Sequence, residues 1–480
     1  METIDSHDLL VIGGGPAGLS AALESSKHGV KTAIIEERIT LGGQIFKRLG
    51  VGFKDSSASS LGKDYARGAE LISGIEKSNV EVFESTQVVS IEDSLVYTTH
   101  PSFGTRAFKF KNLIITPGAY DRPVVFPGWT LPGVMTAGAV QTLVKTQQLS
   151  PGKKILFAGS GPLALAFSAQ LLELGAPVYK VLESSHPPKS SEILRLTAAI
   201  PGNWNLISDA IRYRSILLKK SVPFKYRRIV VKAEGQGRVE SVTHCKVDQD
   251  WRPIAGTEKV ESVDLLCVGY GFFPSHELFR FLGCSFIYDE NQGGFKVEKD
   301  QWGQTSLPAI FAAGDGTGVT GSYSAIAQGA LAGLRVAFLY GNLSELQLRD
   351  LATSYIRELS NRNKFQKALN HMFDVRPGIY ELASDETIVC RCESVKKSDI
   401  DSVIESSADI SVVKAYTRAG MGLCQGRNCQ RQIAAMISKR YHLPFSEIAF
   451  ATPRFPIKPV EIGLIADGSI RDEKYFINEK

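Results

Sequence analysis

A glycine turn close to the N-terminus constrains this chain more than any other feature. The apolar run Leu9-Leu10-Val11-Ile12 leads into Gly13-Gly14-Gly15-Pro16-Ala17-Gly18. A helical stretch follows to about Lys27, and Lys31 to Ile35 is again strand-like and ends at Glu36. That order predicts a βαβ unit with G-x-G-x-x-G at its first strand–helix junction. Gly13 permits the tight turn, Gly15 lets backbone N–H groups approach a pyrophosphate, and Gly18 lets helix and strand pack closely. The helix N-terminus then offers the phosphates unsatisfied N–H groups and a favourable dipole. Glu36 stands 18 residues beyond Gly18, near the position where an acid accepts from an adenosine ribose.

The pattern recurs about 145 residues further on, a spacing that implies two nucleotide-binding units and not a short repeat. Lys154 to Ala158 leads into Gly159-Ser160-Gly161-Pro162-Leu163-Ala164, a helix to about Leu174, and a strand through Val178 to Leu182 that ends at Glu183. Gly159, Gly161 and Ala164 fit the turn, and Glu183 takes the ribose position. An acid there disfavours the 2′-phosphate of NADP. NAD, another adenine nucleotide and an empty site are the alternatives left open.

Two further features favour FAD at the first site. Gly42-Gly43-Gln44 follows the second strand, where small residues let backbone pass near a flavin. Gly314-Asp315 ends the later strand Ala309 to Ala313 and places a carboxylate where ribityl hydroxyls can donate to it; helix capping is the plainer role for Asp315. The strand Leu113-Ile114-Ile115 ends in Thr116-Pro117-Gly118, and Arg122 to Pro132 reads as a crossover linker. Phe365, Leu369 and Phe373 recur at i, i+4 and i+8 on a charged helix from about Leu343 to Met372, a stripe expected to pack on neighbouring elements.

With 480 residues the chain exceeds what one core supports. The expected fold class is α/β: an FAD-binding domain from 1–125 and 300–345, a second dinucleotide-binding domain from 126–299, a helical linker from 346–384, a small helical module from 385–445, and an extended arm from 446–480. Hydrophobic residues at 43% and charged residues at 22% give an ordinary globular balance. A net charge of +5 with scattered basic residues argues against a nucleic-acid partner. The N-terminus carries no signal-peptide pattern, and no apolar run approaches the ~18–20 residues that span a bilayer. A cytoplasmic protein without a transmembrane segment is expected.

Seven cysteines in such a chain argue against a disulfide framework. Cys245, Cys267 and Cys284 are isolated and read as buried small hydrophobes. The other four, Cys390-Arg391-Cys392 and Cys424 with Cys429, form a CxC followed by a Cx4C. On an extended strand the thiols of a CxC point to one side, and the second pair sits in a glycine-containing loop before a helix. Structural zinc and a metal-free site are the rivals. Paired zinc ligands usually stand further apart in sequence than CxC allows, whereas four-cysteine iron–sulfur ligation tolerates varied spacing, which favours [2Fe–2S]. Arg391, Lys414, Arg418 and Arg427 are expected to offset its negative charge. None of the eight histidines falls in a catalytic motif, and no catalytic residue is identified.

The GGGPAG, GGQI and AAGDG segments resemble the pyridine-nucleotide–disulfide oxidoreductase superfamily over residues 8 to 340, although Thr116-Pro117-Gly118 stands where that family usually has Ala-Thr-Gly. No cysteine pair lies beside the flavin segments, so disulfide reduction is not expected. VCRCE, TRAGMGLCQGRNC and RFPIKPV resemble the bacterioferritin-associated-ferredoxin-type module at the C-terminus of certain flavoprotein subunits. Taken together, the chain is similar to α subunits of multi-component amine and imino-acid dehydrogenases: the A subunit of opine (octopine and nopaline) oxidase, the B subunit of hydrogen cyanide synthase, and hydroxyproline or proline dehydrogenase α subunits.

That resemblance implies an electron-transferring flavoprotein subunit of an opine oxidase-like complex, which cleaves an opine oxidatively to an amino acid and a 2-oxo acid. It further implies a substrate-oxidising flavoprotein β partner, a small third subunit, a flavin shared with a partner, and an electron acceptor at which peripheral contact with the inner membrane is conceivable. A free-standing NADH:acceptor oxidoreductase and a redox-sensing scaffold are the alternatives.

Overall fold

The computed structural model describes residues 5–50, 63–290 and 293–466. Met1 to Ile4 and the last part of the expected arm, 467–480, lie outside the described residues. The first βαβ unit forms as its pattern predicts. Strand Asp5–Ile12 pairs in parallel with Thr32–Ile35 and with Gly104–Ile115, so that Val11 lies between Ile34 and Ile114. These apolar runs are buried on both faces, as parallel sheets covered by helices require. The crossover helix Pro16–Lys27 begins with proline in its first turn, where a missing N–H costs nothing.

Strand Gly104–Ile115 does two jobs. Its first half pairs antiparallel with Leu95–His100, which continues to Gln87–Glu92, and its last turn pairs in parallel with Ile310–Ala312. The sheet order is 81–83, 32–35, 5–12, 104–115, 95–100, 87–92, with 310–312 also against 104–115. Chain from far downstream thus adds a strand to the first unit. Helix Ser322–Leu339 then lies across the crossover helix on small residues. A Cβ added to Gly329 would fall 2.0 Å from the Ala17 carbonyl oxygen, so glycine alone allows this approach.

The second unit is a parallel sheet in the order 224–225, 178–183, 155–159, 265–269, 134–136, with an antiparallel ribbon of Arg228–Glu234, Ser241–Lys246 and Lys259–Ser262 beside it. A two-stranded link, Ala119–Asp121 with Phe272–Pro274, joins the units. Helix Glu345–Met372 is capped by Ser344, whose side chain accepts from Gln347 N. It spans both units: Leu348 joins the core of the first, and Arg362 donates to Asn203 Oδ1 of the second at 2.9 Å.

The cysteine segment builds a short ribbon, Ile388–Cys390 with Val395–Lys396, followed by helices Lys397–Ile404, Ile410–Thr417 and Gln430–Tyr441. Its core is continuous with the second unit, since Val389, Cys390, Cys429 and Ile433 share one apolar cluster with Trp129, Ile229 and Trp251. Trp129 Nε1 donates to the Ile388 carbonyl at 2.6 Å across that seam. The C-terminal arm returns to the first sheet, where Ile457 N donates to Val89 O at 3.0 Å and Thr105 Oγ1 to Leu464 O at 2.5 Å. It starts within the 3-10 turn Phe445–Glu447, bends at 455–458, and Ile462–Ala466 is helical. Among the described residues no helix is long and apolar enough to cross a membrane.

Candidate functional site

The first glycine turn is held from below by Thr116, whose Oγ1 contacts Ile12 O at 2.8 Å and Gly13 O at 2.9 Å. The departure from Ala-Thr-Gly therefore keeps a hydroxyl in use at the strand end. A Cβ on Gly18 would lie 1.8 Å from Gly13 O, so the helix can start this close to the strand only on glycine. No side chain caps the helix at Gly15, which leaves its first N–H groups for an anion. Glu36 is 5% exposed; its Oε2 accepts from Gly14 N at 2.6 Å and its Oε1 from Arg38 N at 2.8 Å, and burial raises its pKa. Gly42 N donates to Gly14 O at 2.8 Å, which lays the Gly42-Gly43-Gln44 segment against the turn.

Asp315 lines the cleft, and its Oδ1 accepts from Thr320 N at 2.9 Å and Gly321 N at 3.0 Å in the loop before helix Ser322–Leu339, which no side chain caps. Burial raises its pKa. Gly13, Gly15, Glu36, Gln44, Thr116 and Asp315 all face one cleft of about 1060 Å³, roomy enough for a dinucleotide. Beyond Asp315 the wall carries Asp121, which accepts from Thr136 Oγ1 at 2.8 Å and Gly138 N at 3.2 Å. Close by is Lys47, whose Nζ donates to Gly138 O at 3.3 Å and also contacts Thr142 Oγ1. Burial brings the Lys47 pKa down to about 8.

The second glycine turn opens into the same cleft. Glu183 there mirrors Glu36: Oε2 accepts from Gly161 N at 3.0 Å and Oε1 from Ser185 N at 2.8 Å. Gly159 packs against the Gly269 carbonyl, 2.1 Å from where its Cβ would be, and Ala164 is buried at the helix start. Phe365, Leu369 and Phe373 do not pack on neighbours alone. They line the cleft, and Phe373 Cβ lies 3.5 Å from where a Cβ of Gly161 would be. The side chain thus stands within ordinary packing distance of that turn. A stripe on a helix cannot announce which loop it will cover, so the periodicity alone gave no warning.

The four C-terminal cysteines converge, with pairing across the two motifs. Cys390 contacts Cys429, Cys392 contacts Cys424, and Cys429 feels the charge of the other three. The expected extended CxC strand does not form. Cys390 ends its strand and Cys392 sits in the turn over residues 391–394, where Ser394 has φ +55°. Cys390 is therefore buried and Cys392 exposed. The second pair stands as expected, with Cys429 at the N-cap of helix Gln430–Tyr441. The Cys390 thiol is brought down to about pKa 5 by the Cys429 thiol and, against burial, by the N–H groups of Gly420, Glu393 and Cys392. The same pairing pushes Cys429 up. A Cβ on Gly422 would meet Cys392 Cβ at 2.3 Å, so this loop closes onto the CxC turn only with glycine. Among the described residues no three His, Cys, Asp or Glu side chains are gathered tightly enough for one metal ion.

Of the arginines expected to balance the thiolates, Arg427 feels the charge of Cys424 and donates to its carbonyl oxygen at 3.1 Å, and Arg427 and Arg418 each have further partners. Arg418 Nε donates to Glu393 Oε2 at 2.9 Å. Arg427 Nε donates to Tyr120 Oη at 2.9 Å and pairs with Glu277 at 3.3 Å. Arg427 thereby ties the loop between Cys424 and Cys429 to the flavin cleft, a link between residues 307 positions apart that spacing cannot reveal.

Residues 7–332 match the pyridine nucleotide-disulphide oxidoreductase family, and residues 384–469 match the sarcosine oxidase A3 domain. The A subunit of opine oxidase from Rhizobium meliloti is 30% identical over 96% of this chain and 98% of that protein. Hydrogen cyanide synthase subunit HcnB of Pseudomonas protegens is 29% identical over 94% of this chain and 96% of that protein. Among solved structures, L-proline dehydrogenase from P. horikoshii superposes with a TM-score of 0.67 at 21% identity, covering 97% of this chain and 81% of that one, which shows a common fold. Two glycine turns on one cleft, completed by a downstream strand, and these matches agree: the chain belongs to the pyridine nucleotide-disulphide oxidoreductase family of flavin oxidoreductases and, within it, to the family of the opine oxidase A subunits.

Proposed function

We propose that this chain is the electron-transferring flavoprotein subunit of an opine oxidase-like complex, with FAD in the first cleft and a [2Fe–2S] centre on Cys390, Cys392, Cys424 and Cys429. The observation that carries the reading is the joining, in one chain, of a dinucleotide cleft to four cysteines set as two pairs. A single zinc takes all four ligands on one ion, whereas a two-iron centre takes two thiolates on each. Bound FAD would accept and release two electrons, and the centre one at a time. Gly13, Gly15 and Gly18 would admit the pyrophosphate, Glu36 the ribose, Asp315 the ribityl chain, and the Gly42-Gly43-Gln44 segment would flank the flavin. Backbone N–H groups at Gly420 and Glu393 would donate to a ligating sulfur.

Full-length kinship to proteins named as subunits supports a partner that oxidises substrate. Purified alone, the chain should hold FAD and iron yet leave opines untouched; co-expression with a β-type flavoprotein should restore opine-dependent dye reduction. Vigorous opine oxidation by this chain alone would contradict the assignment. The kinship to hydrogen cyanide synthase subunit HcnB supports a second reading, a subunit of a hydrogen cyanide synthase, and the same reconstitution assayed for cyanide release distinguishes the two.

A further inference from the structure

Two arginines without a carboxylate partner among the described residues lie at the flavin cleft and on the helix after the cysteine loop. Arg122 follows the linking strand Ala119–Asp121, is 4% exposed and lines the flavin cleft. Its Nη1 donates to Tyr380 Oη at 2.6 Å and its Nη2 to Phe272 O at 3.4 Å, while Nε has no partner. From the other side, the half-buried Arg431 donates from Nε to the same phenol oxygen at 2.8 Å. Arg431 is the second residue of helix Gln430–Tyr441, which starts directly after Cys429. Tyr380 ends the turn Pro377–Tyr380 that precedes the cysteine segment, and its carbonyl accepts from Gln432 Nε2 at 2.8 Å. Burial pushes the phenol pKa up, but the two guanidinium groups overcome it and bring it down to about 8.

Among the described residues neither guanidinium has a carboxylate at ion-pair distance. Asp374 is near enough to feel Arg122, yet its ion pair is with Arg376 at 3.5 Å. Holding two cations on one phenol, one of them fully buried, is unfavourable unless other negative charge is at hand. The cysteine site can supply that charge once its thiols ligate a metal centre, because Cys429 is the N-cap of the helix on which Arg431 stands two residues later.

We propose that Arg122 and Arg431, held together by Tyr380, are positioning residues that raise the reduction potential of the iron–sulfur centre and so draw electrons out of the flavin cleft. The inference rests on the [2Fe–2S] reading. Reduction of the centre turns one Fe(III) into Fe(II) and takes up no proton, so its net negative charge grows by one. A reduced flavin supplies the electron and discharges in two such passes, its protons going to solvent. Fixed positive charge in a buried seam favours the more negative state.

The test is an EPR-monitored redox titration of the full chain loaded with FAD, iron and sulfide. Arg122→Gln and Arg431→Gln should each make reduction of the centre about tenfold less favourable, a midpoint about 59 mV lower for a one-electron couple. Arg431→Lys and Tyr380→Phe retain both charges and should move it by less than about a third of that. A fully loaded centre that titrates at the wild-type potential in either Gln variant would overturn the inference and leave the cluster reading intact; either variant decides if the other fails to fold. Equal shifts in Tyr380→Phe and Arg431→Gln would assign the effect to packing and also overturn it. Wild-type protein without iron and sulfide would sink both.

Discussion

Replacing Glu183 with glutamine tests the energetics of the second glycine turn. The carboxylate is 1% exposed and accepts from Gly161 N and Ser185 N, yet burial outweighs these donors and pushes its pKa up to about 7. An unfolded glutamate titrates near about 4.3. The folded state therefore favours the protonated form, and the stability this lends is complete below about pH 4.3 and lost as pH rises through 7. A difference of about 2.7 units at about 1.36 kcal/mol each gives a loss of roughly 3 to 4 kcal/mol. Glu183→Gln is neutral throughout and lacks this dependence, whatever constant offset its amide introduces at Gly161 and Ser185. Relative to wild type, the variant should gain roughly 3 kcal/mol between pH 4.5 and 8, a change of roughly 6–12 °C in the Tm difference for a unit of this size. Calorimetric scans of both proteins at matched rates would measure it, because large chains often unfold irreversibly. Tm curves that stay parallel within ~2 °C across that range would refute the reasoning.

Three substitutions probe the remaining geometry. Gly18→Ala places a Cβ 1.8 Å from Gly13 O; it should cost about 1–3 kcal/mol by overpacking and abolish co-purifying flavin, read from absorbance. Gly422→Ala drives a Cβ to 2.3 Å from Cys392 Cβ and should lower iron content severalfold while flavin content holds. Trp129→Phe leaves the Ile388 carbonyl without its 2.6 Å donor, should cost about 1–3 kcal/mol, and should speed hydrogen exchange in residues 385–445 more than elsewhere.

Much of the fold was legible because local chemistry and tertiary structure agree. Strand, glycine turn, helix and acid follow in order at Gly13 to Glu36 and again at Gly159 to Glu183, and each acid folds back onto its own turn. The later strand Ile310–Ala312 was readable as apolar residues before Gly-Asp, and the gathering of four cysteines in one region was readable from their close spacings. What escaped depends on contacts between distant segments. The CxC turn bends because the loop at Gly422 closes onto it, which exchanges the cysteine partners across the two motifs. Phe373 reaches Gly161, Arg122 reaches Tyr380, and Arg427 reaches Tyr120. No period or spacing encodes such pairs, since packing of three modules around one seam decides them.

The most direct test of the central claim is cofactor analysis of the purified chain: flavin, iron and acid-labile sulfide per polypeptide, with EPR after dithionite reduction. The account predicts one FAD, two irons and two sulfides, with a reduced-state EPR signal lost in Cys390→Ser and Cys424→Ser. One zinc without sulfide, or a chain with flavin whose cysteines bind no iron, would contradict it.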